Sequence, residues 1–338
     1  MNKQNRRTAI GAALGMLILI LDGKTALTGA AEGISLCFNT LIPSLFPFFL
    51  LSILLTGALA GQTLPLLQPV TASCKMPKGA ESLLVVSLLG GYPVGAQNIA
   101  LMHRHGQLTN SDAARMLAFC NNAGPAFIFG ILGTMFSSPK APWLLWLIHM
   151  ASALIVGLLL PGEKNEGRIN SLSNKIHITD ALAQSVKVMS LVCGWVIIMR
   201  MVLSFLEIWF LWLLPLPLQV IVSGILELSN GCIRLTELDC EGLRFLAASG
   251  FLSLGGICVT LQTASVADGI TMKLYFPGKI LQSGISILLA YLFQFTLPAG
   301  VRYHCTGIAV ISTAVIIIVL SIFQRFKKSS GIPAFSGV

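Results

Sequence analysis

LLGGYPVGAQNIA, residues 88–100, interrupts an apolar segment with three glycines, a tyrosine and a proline. The ten residues from Ala80 to Leu89 would form about 15 Å of helix, which is half of a roughly 30 Å hydrocarbon core. Glycine permits positive φ at a turn, and a proline that cannot continue one helix can begin the next. The stretch therefore predicts the tip of a helical hairpin, residues 80–105, that enters and leaves the membrane on one side.

The composition of the whole chain indicates a membrane protein. Of its 338 residues, 55% are hydrophobic and 10% are charged, whereas soluble domains carry about 25% charged residues. The mean hydropathy is +0.82, and no polar block is long enough for a separate soluble domain. We expect one all-α polytopic domain, 1–338, in a lipid bilayer.

Several function classes lack their sequence signals. The net charge of +9 is not gathered into a basic, aromatic-lined groove, so we expect no nucleic acid partner. The eight cysteines form no CxxC pair, which argues against a metal site or a disulfide framework. No GxSxG, HExxH or Walker pattern occurs, so we expect neither an enzyme nor an ATP-driven pump, and no cofactor. The N-terminus resembles a signal peptide, but an uncleaved first span is favoured over cleavage near residues 29–33.

The apolar runs divide into full spans and shorter segments. The eight predicted spans are 8–21, 44–60, 112–136, 142–160, 184–206, 243–267, 278–297 and 304–323. Two further segments, 80–102 and 218–236, are broken centrally and are predicted to form hairpins 80–105 and 218–240. With the N-terminus in the cytoplasm, 16 of the 22 Lys and Arg residues then face the cytoplasm, as the positive-inside rule requires. They are Lys3, Arg6, Arg7, Lys75, Lys78, Arg104, Arg115, Lys164, Arg168, Lys175, Lys187, Lys273, Lys279, Arg325, Lys327 and Lys328. Both termini are predicted to be cytoplasmic.

The two halves of the chain show the same order of elements. SLLGGYPVG (87–95) aligns with SGILELSNG (223–231) at an offset of 136, and LAFCNNAG (117–124) aligns with SGFLSLGG (249–256) at an offset of 132. Repeat one, 40–160, holds hairpin 80–105 and broken helix 112–136; repeat two, 178–297, holds hairpin 218–240 and broken helix 243–267. The two hairpins enter from opposite sides, so we predict an inverted-topology repeat with its substrate site at the midplane.

Four interruptions are expected to meet at that site: the first tip (90–95), the first break (121–125), the second tip (227–231) and the second break (253–256). A broken helix persists in a membrane only if it is buried in protein or lines a cavity. The amides at each new helix start also favour an anionic group. The predicted binding residues are Gly90, Gly91, Tyr92, Pro93, Gly95, Asn121, Asn122, Gly124, Pro125, Glu227, Ser229, Asn230, Ser253, Gly255 and Gly256.

The polar residues among these have more than one interpretation. Asn121 and Asn122 either bind substrate or hydrogen-bond neighbouring helices. Glu227 is either a proton or cation carrier, or a structural acid that caps the next half-helix or pairs with a basic residue. Arg200 is either a counter-charge for an anionic substrate or for Glu227, or a side chain that extends to the outer interface near Glu207. The coupling ion, proton or sodium, and the oligomeric state stay open.

IPSLFPFFLLSILLTG (42–57), GGYPVGAQ (90–97) and LAFCNNAGPAFIFGILGT (117–134) resemble the sporulation integral membrane protein family called YlbJ or SpoVV, within the nucleoside-recognition or Gate group. ELSNG (227–231) and SLGGICVTLQ (253–262) are similar to its matching segments. The resemblance implies a fold similar to concentrative nucleoside transporters. It also implies a carrier that moves dipicolinic acid from the mother cell across the outer forespore membrane. The alternatives are a carrier of nucleosides, nucleobases or another small organic anion, and a non-transporting scaffold for sporulation proteins.

Overall fold

The computed structural model describes residues 3–59, 62–162, 169, 177–298, 302, 303 and 305–329, and the regular secondary structure of this part is helical. Helices of the first half are α1 (Lys3–Leu21), α2 (Gly23–Leu36), α3 (Ile42–Leu59), α4 (Gln68–Ser73), α5 (Glu81–Leu89), α6 (Val94–Arg104), α7 (Asn110–Leu117), α8 (Pro125–Gly130) and α9 (Lys140–Leu159). Those of the second half are α10 (Ile178–Trp209), α11 (Leu216–Leu226), α12 (Leu228–Arg234), α13 (Glu241–Leu254), α14 (Gly256–Val266), α15 (Tyr275–Phe293) and α16 (Thr306–Ser329). The prediction of an all-α chain is confirmed.

Within the described residues, six helical segments are long and apolar enough to cross a membrane. They are Gly23–Leu59, Ala141–Leu159, Ile178–Trp209, Glu241–Val266, Tyr275–Thr296 and Thr306–Gln324. Each overlaps one of the eight predicted spans, so the protein is a polytopic membrane protein. Predicted spans 8–21 and 112–136 are not among the six. The first lies in α1, which also contains Arg6 and Arg7, and the second is divided into short helices.

The span predicted at 44–60 begins much earlier than expected. A π-helical segment, Cys37–Leu41, joins α2 to α3, so that one helical segment runs for 37 residues. Gly29 and Gly33 explain how α2 packs against α10. A β-carbon added at Gly29 would lie 2.9 Å from the Cα of Met201, and one at Gly33 would lie 2.9 Å from the Cα of Ile197. This close approach of two backbones is typical of glycines spaced four apart in membrane helices.

Both predicted hairpins consist of two short helices. In the first, α5 ends at Leu89 and α6 begins at Val94, and Gly91 between them has φ +77°. In the second, only Glu227 separates α11 from α12. A β-carbon on Gly231 would lie 2.1 Å from the Cα of Gly224, so the chain folds back sharply on itself at Glu227. Whether either hairpin is re-entrant depends on a bilayer, so this stays a prediction.

The two predicted broken helices are interrupted where the sequence indicates. Residues 118–124 are non-helical between α7 and α8, and Pro125 begins α8. In the second half, α13 and α14 meet at Gly255 and Gly256, which have φ of +72° and +77°. The order of helix, hairpin and broken helix therefore occurs in both halves. The inverted orientation of the repeat and the cytoplasmic termini remain predictions, and Lys164, Arg168 and Lys175 lie outside the described residues.

Candidate functional site

The four interruptions lie together in the structure. The first tip contacts the first break, because a β-carbon on Gly124 would be 2.9 Å from both N and Cα of Gly91. The end of α11, which leads into the second tip, contacts the second break, because a β-carbon on Gly256 would be 2.9 Å from the carbonyl oxygen of Ile225. The hydroxyl of Tyr92 donates to the carbonyl of Leu252 at 3.1 Å. Tyr92 thereby connects the first tip to the second broken helix.

A small cleft, partly open to the outside, lies at this meeting point and is the cavity of the candidate site. Six of the predicted site residues line it: Gly90, Gly91, Tyr92, Gly124, Glu227 and Ser229. The remaining wall includes apolar side chains such as Phe49 and Phe127, together with the amide of Gln262. The other predicted residues, which are not in the lining, are Pro93, Gly95, Asn121, Asn122, Pro125, Asn230, Ser253, Gly255, Gly256 and Arg200. A mostly apolar cleft with a few polar groups is typical of a small-molecule site.

Asn121 lies behind the cavity wall and holds three elements together. Its Nδ2 donates to Oγ1 of Thr263 at 2.8 Å and to the hydroxyl of Tyr275 at 3.2 Å. Its Oδ1 accepts from the backbone N–H of Ala96, near the start of α6, at 3.3 Å. The side chain of Asn121 is fully buried. Its hydrogen bonds are those expected if Asn121 connects neighbouring helices.

Lys279 is more deeply buried than the sequence predicted. We expected it among the basic residues that face the cytoplasm. Instead α15 begins at Tyr275, which places Lys279 in the second helical turn with a fully buried side chain. A β-carbon on Gly278 would already be 2.7 Å from Cβ of Ala118, so α15 packs tightly on the chain between α7 and the first break.

The ammonium of Lys279 donates to oxygen atoms of the first break. Its partners are the carbonyl oxygen of Asn121, Oδ1 of Asn122 at 3.3 Å and Oε1 of Gln282 at 2.9 Å. Nε2 of Gln282 also donates to Oδ1 of Asn122, at 3.1 Å. The ammonium lies 5.3 Å from the centre of the Tyr92 ring, within the range of a cation–π contact. The ammonium therefore lies close to a ring that lines the cavity, without lining the cavity itself.

His149 joins the first break to the second. The backbone N–H of Ala123 donates to Nε2 of His149 at 3.0 Å, and Nδ1 lies 3.0 Å from Oγ of Ser253. Because Nε2 accepts, the proton of a neutral imidazole is on Nδ1 and points to the serine. His149 thus places Ser253, a predicted binding residue, in a structural contact between the two halves.

Glu227 lines the cavity and also caps α12. Its carboxylate accepts from the backbone N–H groups of Ser229 at 2.9 Å and Asn230 at 2.6 Å, and from Nδ2 of Asn230 at 2.8 Å. These are the contacts that the capping interpretation predicts. They also compensate the buried charge with three donors, two of them from the positive end of a helix.

Arg200 lies in a separate group of ion pairs. It donates through Nε to Glu32 at 2.7 Å and through Nη1 to Glu207 at 3.0 Å. Arg234 of α12 also pairs with Glu207, at 3.3 Å. Among the described residues, these contacts give Arg200 no link to Glu227, and they agree with the predicted position near Glu207.

The sequence contained signals for three buried polar residues near the site that were not predicted as site residues. His149 is a single histidine in the apolar run WLIHMASAL (146–154), and Lys279 and Gln282 are spaced three apart in the apolar helix that begins at Tyr275. Ionisable residues within membrane spans are rare, and they usually face the protein interior or a water-filled cavity. Applying that rule along the whole chain, rather than only at the helix interruptions, would have identified both.

Comparison with known proteins agrees with the sequence motifs. No family profile and no solved structure matches the chain. Among curated proteins, it is 27% identical to the sporulation integral membrane protein YlbJ of Bacillus subtilis (strain 168) over an alignment of 314 residues. The alignment covers 78% of this chain and 76% of the relative. This similarity confirms the resemblance to the YlbJ family of sporulation integral membrane proteins that the motifs predicted.

Proposed function

We propose that this membrane protein is a carrier for small organic anions, with dipicolinate as the leading substrate. The observation that carries the proposal is the cavity beside the helix interruptions, which Tyr92 lines, with the buried ammonium of Lys279 outside the lining and 5.3 Å from the centre of the Tyr92 ring. In transporters built from broken helices, the substrate site lies where those interruptions meet.

The chemistry of the cavity suits a planar aromatic anion. Tyr92, Phe49 and Phe127 offer ring faces and edges for stacking. The ammonium near Tyr92 contributes positive potential, and it forms no ion pair with a carboxylate among the described residues. An anion placed near Tyr92 would supply part of the missing negative charge, whereas the Glu227 carboxylate in the lining disfavours an anion at the second tip.

The resemblance and the relative's name support the cellular setting of the proposal. The relative is named a sporulation integral membrane protein, and six helices here are suited to a membrane. We place the carrier in the outer forespore membrane, with both termini in the cytoplasm of the mother cell, passing dipicolinate toward the spore. A scaffold would need no internal cavity, so the cavity favours transport.

The experiment is uptake of labelled dipicolinate into liposomes that contain the purified protein, with competition by isophthalate and by uridine. We expect saturable uptake that isophthalate inhibits and uridine does not. Tyr92→Ala should weaken dipicolinate binding by about tenfold or more, since it removes the stacking ring. Phe210→Ala, at an exposed aromatic residue, is the matched control and should change nothing.

The other outcomes separate the alternatives. Inhibition by uridine with no effect of isophthalate would indicate a nucleoside carrier. If the protein neither takes up dipicolinate nor binds dipicolinate or uridine, the result would favour the scaffold. Deleting the gene in the native host gives a second test, because spores with normal dipicolinate would contradict the proposal.

A further inference from the structure

Lys279 sits in a set of oxygen atoms that resembles a site for a metal cation. The set consists of the backbone carbonyl oxygen of Asn121 and the side-chain amide oxygens of Asn122 and Gln282. Hard cations prefer neutral and anionic oxygen ligands of this kind. The carbonyl of Asn121 is available because α7 has ended and the chain at residues 118–124 is non-helical.

The location of this oxygen set is also informative. In transporters with discontinuous helices, unwound carbonyls and half-helix ends bind the coupling sodium ion beside the substrate. Here the equivalent oxygens bind an ammonium that is attached to α15. A sodium ion within a few Å of that ammonium would be strongly repelled, because charges interact strongly in a water-poor interior.

We propose that the ammonium of Lys279 is a resident cation that takes the place of a coupling sodium ion at the first break. The wild-type protein therefore binds no sodium at this break. Removing the lysine side chain opens a site for a small monovalent cation, formed by the oxygens of Asn121, Asn122 and Gln282. The inference concerns the protein alone and does not depend on which substrate is carried.

The test measures thermal unfolding of the purified, detergent-solubilised protein in sodium chloride and in choline chloride at equal ionic strength. Wild type should unfold at the same temperature in both salts. Lys279→Ala should unfold at a lower temperature than wild type in choline. Saturating sodium should raise that temperature by about 3 °C or more, with a saturable concentration dependence. Lys279→Met fills the space without a charge, so it should be destabilised and insensitive to sodium.

Two comparisons make the result specific. Lys187→Ala, at an exposed lysine of α10, should behave as wild type in both salts. In the Lys279→Ala background, Gln282→Leu removes one oxygen ligand and should abolish most of the sodium effect.

Three results would overturn the proposal. The first is saturable stabilisation of wild type by sodium, and the second is a Lys279→Ala protein that responds equally to sodium and choline. The third is failure of both Lys279→Ala and Lys279→Ser to accumulate at any sodium concentration, because bound sodium should restore the fold. None of these measurements involves dipicolinate, so failure here is distinguishable from failure of the proposed function.

Discussion

Replacing His149 by phenylalanine removes two hydrogen bonds and keeps a ring of similar size. The imidazole is fully buried, accepts from Ala123 N at 3.0 Å and faces Ser253 Oγ at 3.0 Å. After the substitution, the N–H of Ala123 has lost its acceptor in a water-poor interior. We therefore expect His149→Phe to loosen the contact between the first and second breaks.

The size of the effect follows from these two contacts. Leaving the buried N–H of Ala123 without an acceptor costs about 1–3 kcal/mol, and losing the bond to Ser253 costs about 1 kcal/mol more. The sum of about 2–4 kcal/mol corresponds to a fall in unfolding temperature of about 3–6 °C for a chain of this size.

The assay is thermal unfolding of the purified protein, with His105→Phe at an exposed histidine as the control. Ser253→Ala completes a double-mutant cycle, in which the two substitutions should be non-additive by at least about 0.5 kcal/mol because the residues are in contact. An unfolding temperature for His149→Phe within about 1 °C of wild type, or strictly additive effects, would refute the reasoning.

Gly231→Ala should prevent stable folding or lower the unfolding temperature markedly, because its β-carbon would meet Gly224 Cα at 2.1 Å; Gly194→Ala, with open space around it, should be neutral when both are compared by yield and thermal unfolding. Tyr92→Phe should cost about 1 kcal/mol of stability through the lost bond to Leu252, yet leave dipicolinate affinity within about threefold, as measured by equilibrium binding. Glu227→Gln should destabilise the protein by about 1–3 kcal/mol, since an amide cannot accept all three hydrogen bonds, and chemical unfolding measures this loss. An unchanged stability for Glu227→Gln would contradict the capping role.

The sequence predicted the helix interruptions well because they depend on local chemistry. Gly91, Gly255 and Gly256 have positive φ, and Pro125 begins a helix, as expected of these residue types. The sequence predicted six of the residues that line the cavity, but it also predicted ten residues that lie outside the lining. Asn121 has an amide side chain of the kind that binds substrates, but its hydrogen-bond partners are Ala96, Thr263 and Tyr275, which are distant in the chain. Contacts between distant segments leave no periodic signal.

Charge counting explains the largest error. The positive-inside rule uses only the position of a basic residue relative to apolar runs, so it placed Lys279 at a membrane edge. Three oxygen atoms and two aromatic rings stabilise its ammonium in the interior. Gln282 and Tyr275 lie on the same helix as Lys279, and the other partners come from distant parts of the chain. The rule has no information about such partners.

The predicted repeat acquires support from contacts that the alignment did not use. At an offset of 132, Gly124 corresponds to Gly256, and at 136, Leu89 corresponds to Ile225. A β-carbon on Gly124 would lie 3.3 Å from the carbonyl oxygen of Leu89, and one on Gly256 would lie 2.9 Å from that of Ile225. The same backbone contact therefore occurs in each half, although the surrounding side chains differ.

The same offsets show where the two halves differ in side-chain chemistry. Gly91 and Tyr92 correspond to Glu227 and Leu228, and all four line the cavity. One tip therefore presents an aromatic ring with an ammonium 5.3 Å from its centre, and the other presents a carboxylate held by α12. The two tips thus border one cavity with different chemistry, although Lys279 itself is not in the lining. An anion would be held in one orientation, with its carboxylate toward Tyr92 and its uncharged side toward Glu227. A dicarboxylate would bring its second carboxylate near Glu227, where like charges repel, so a proton or cation at that tip would favour its binding.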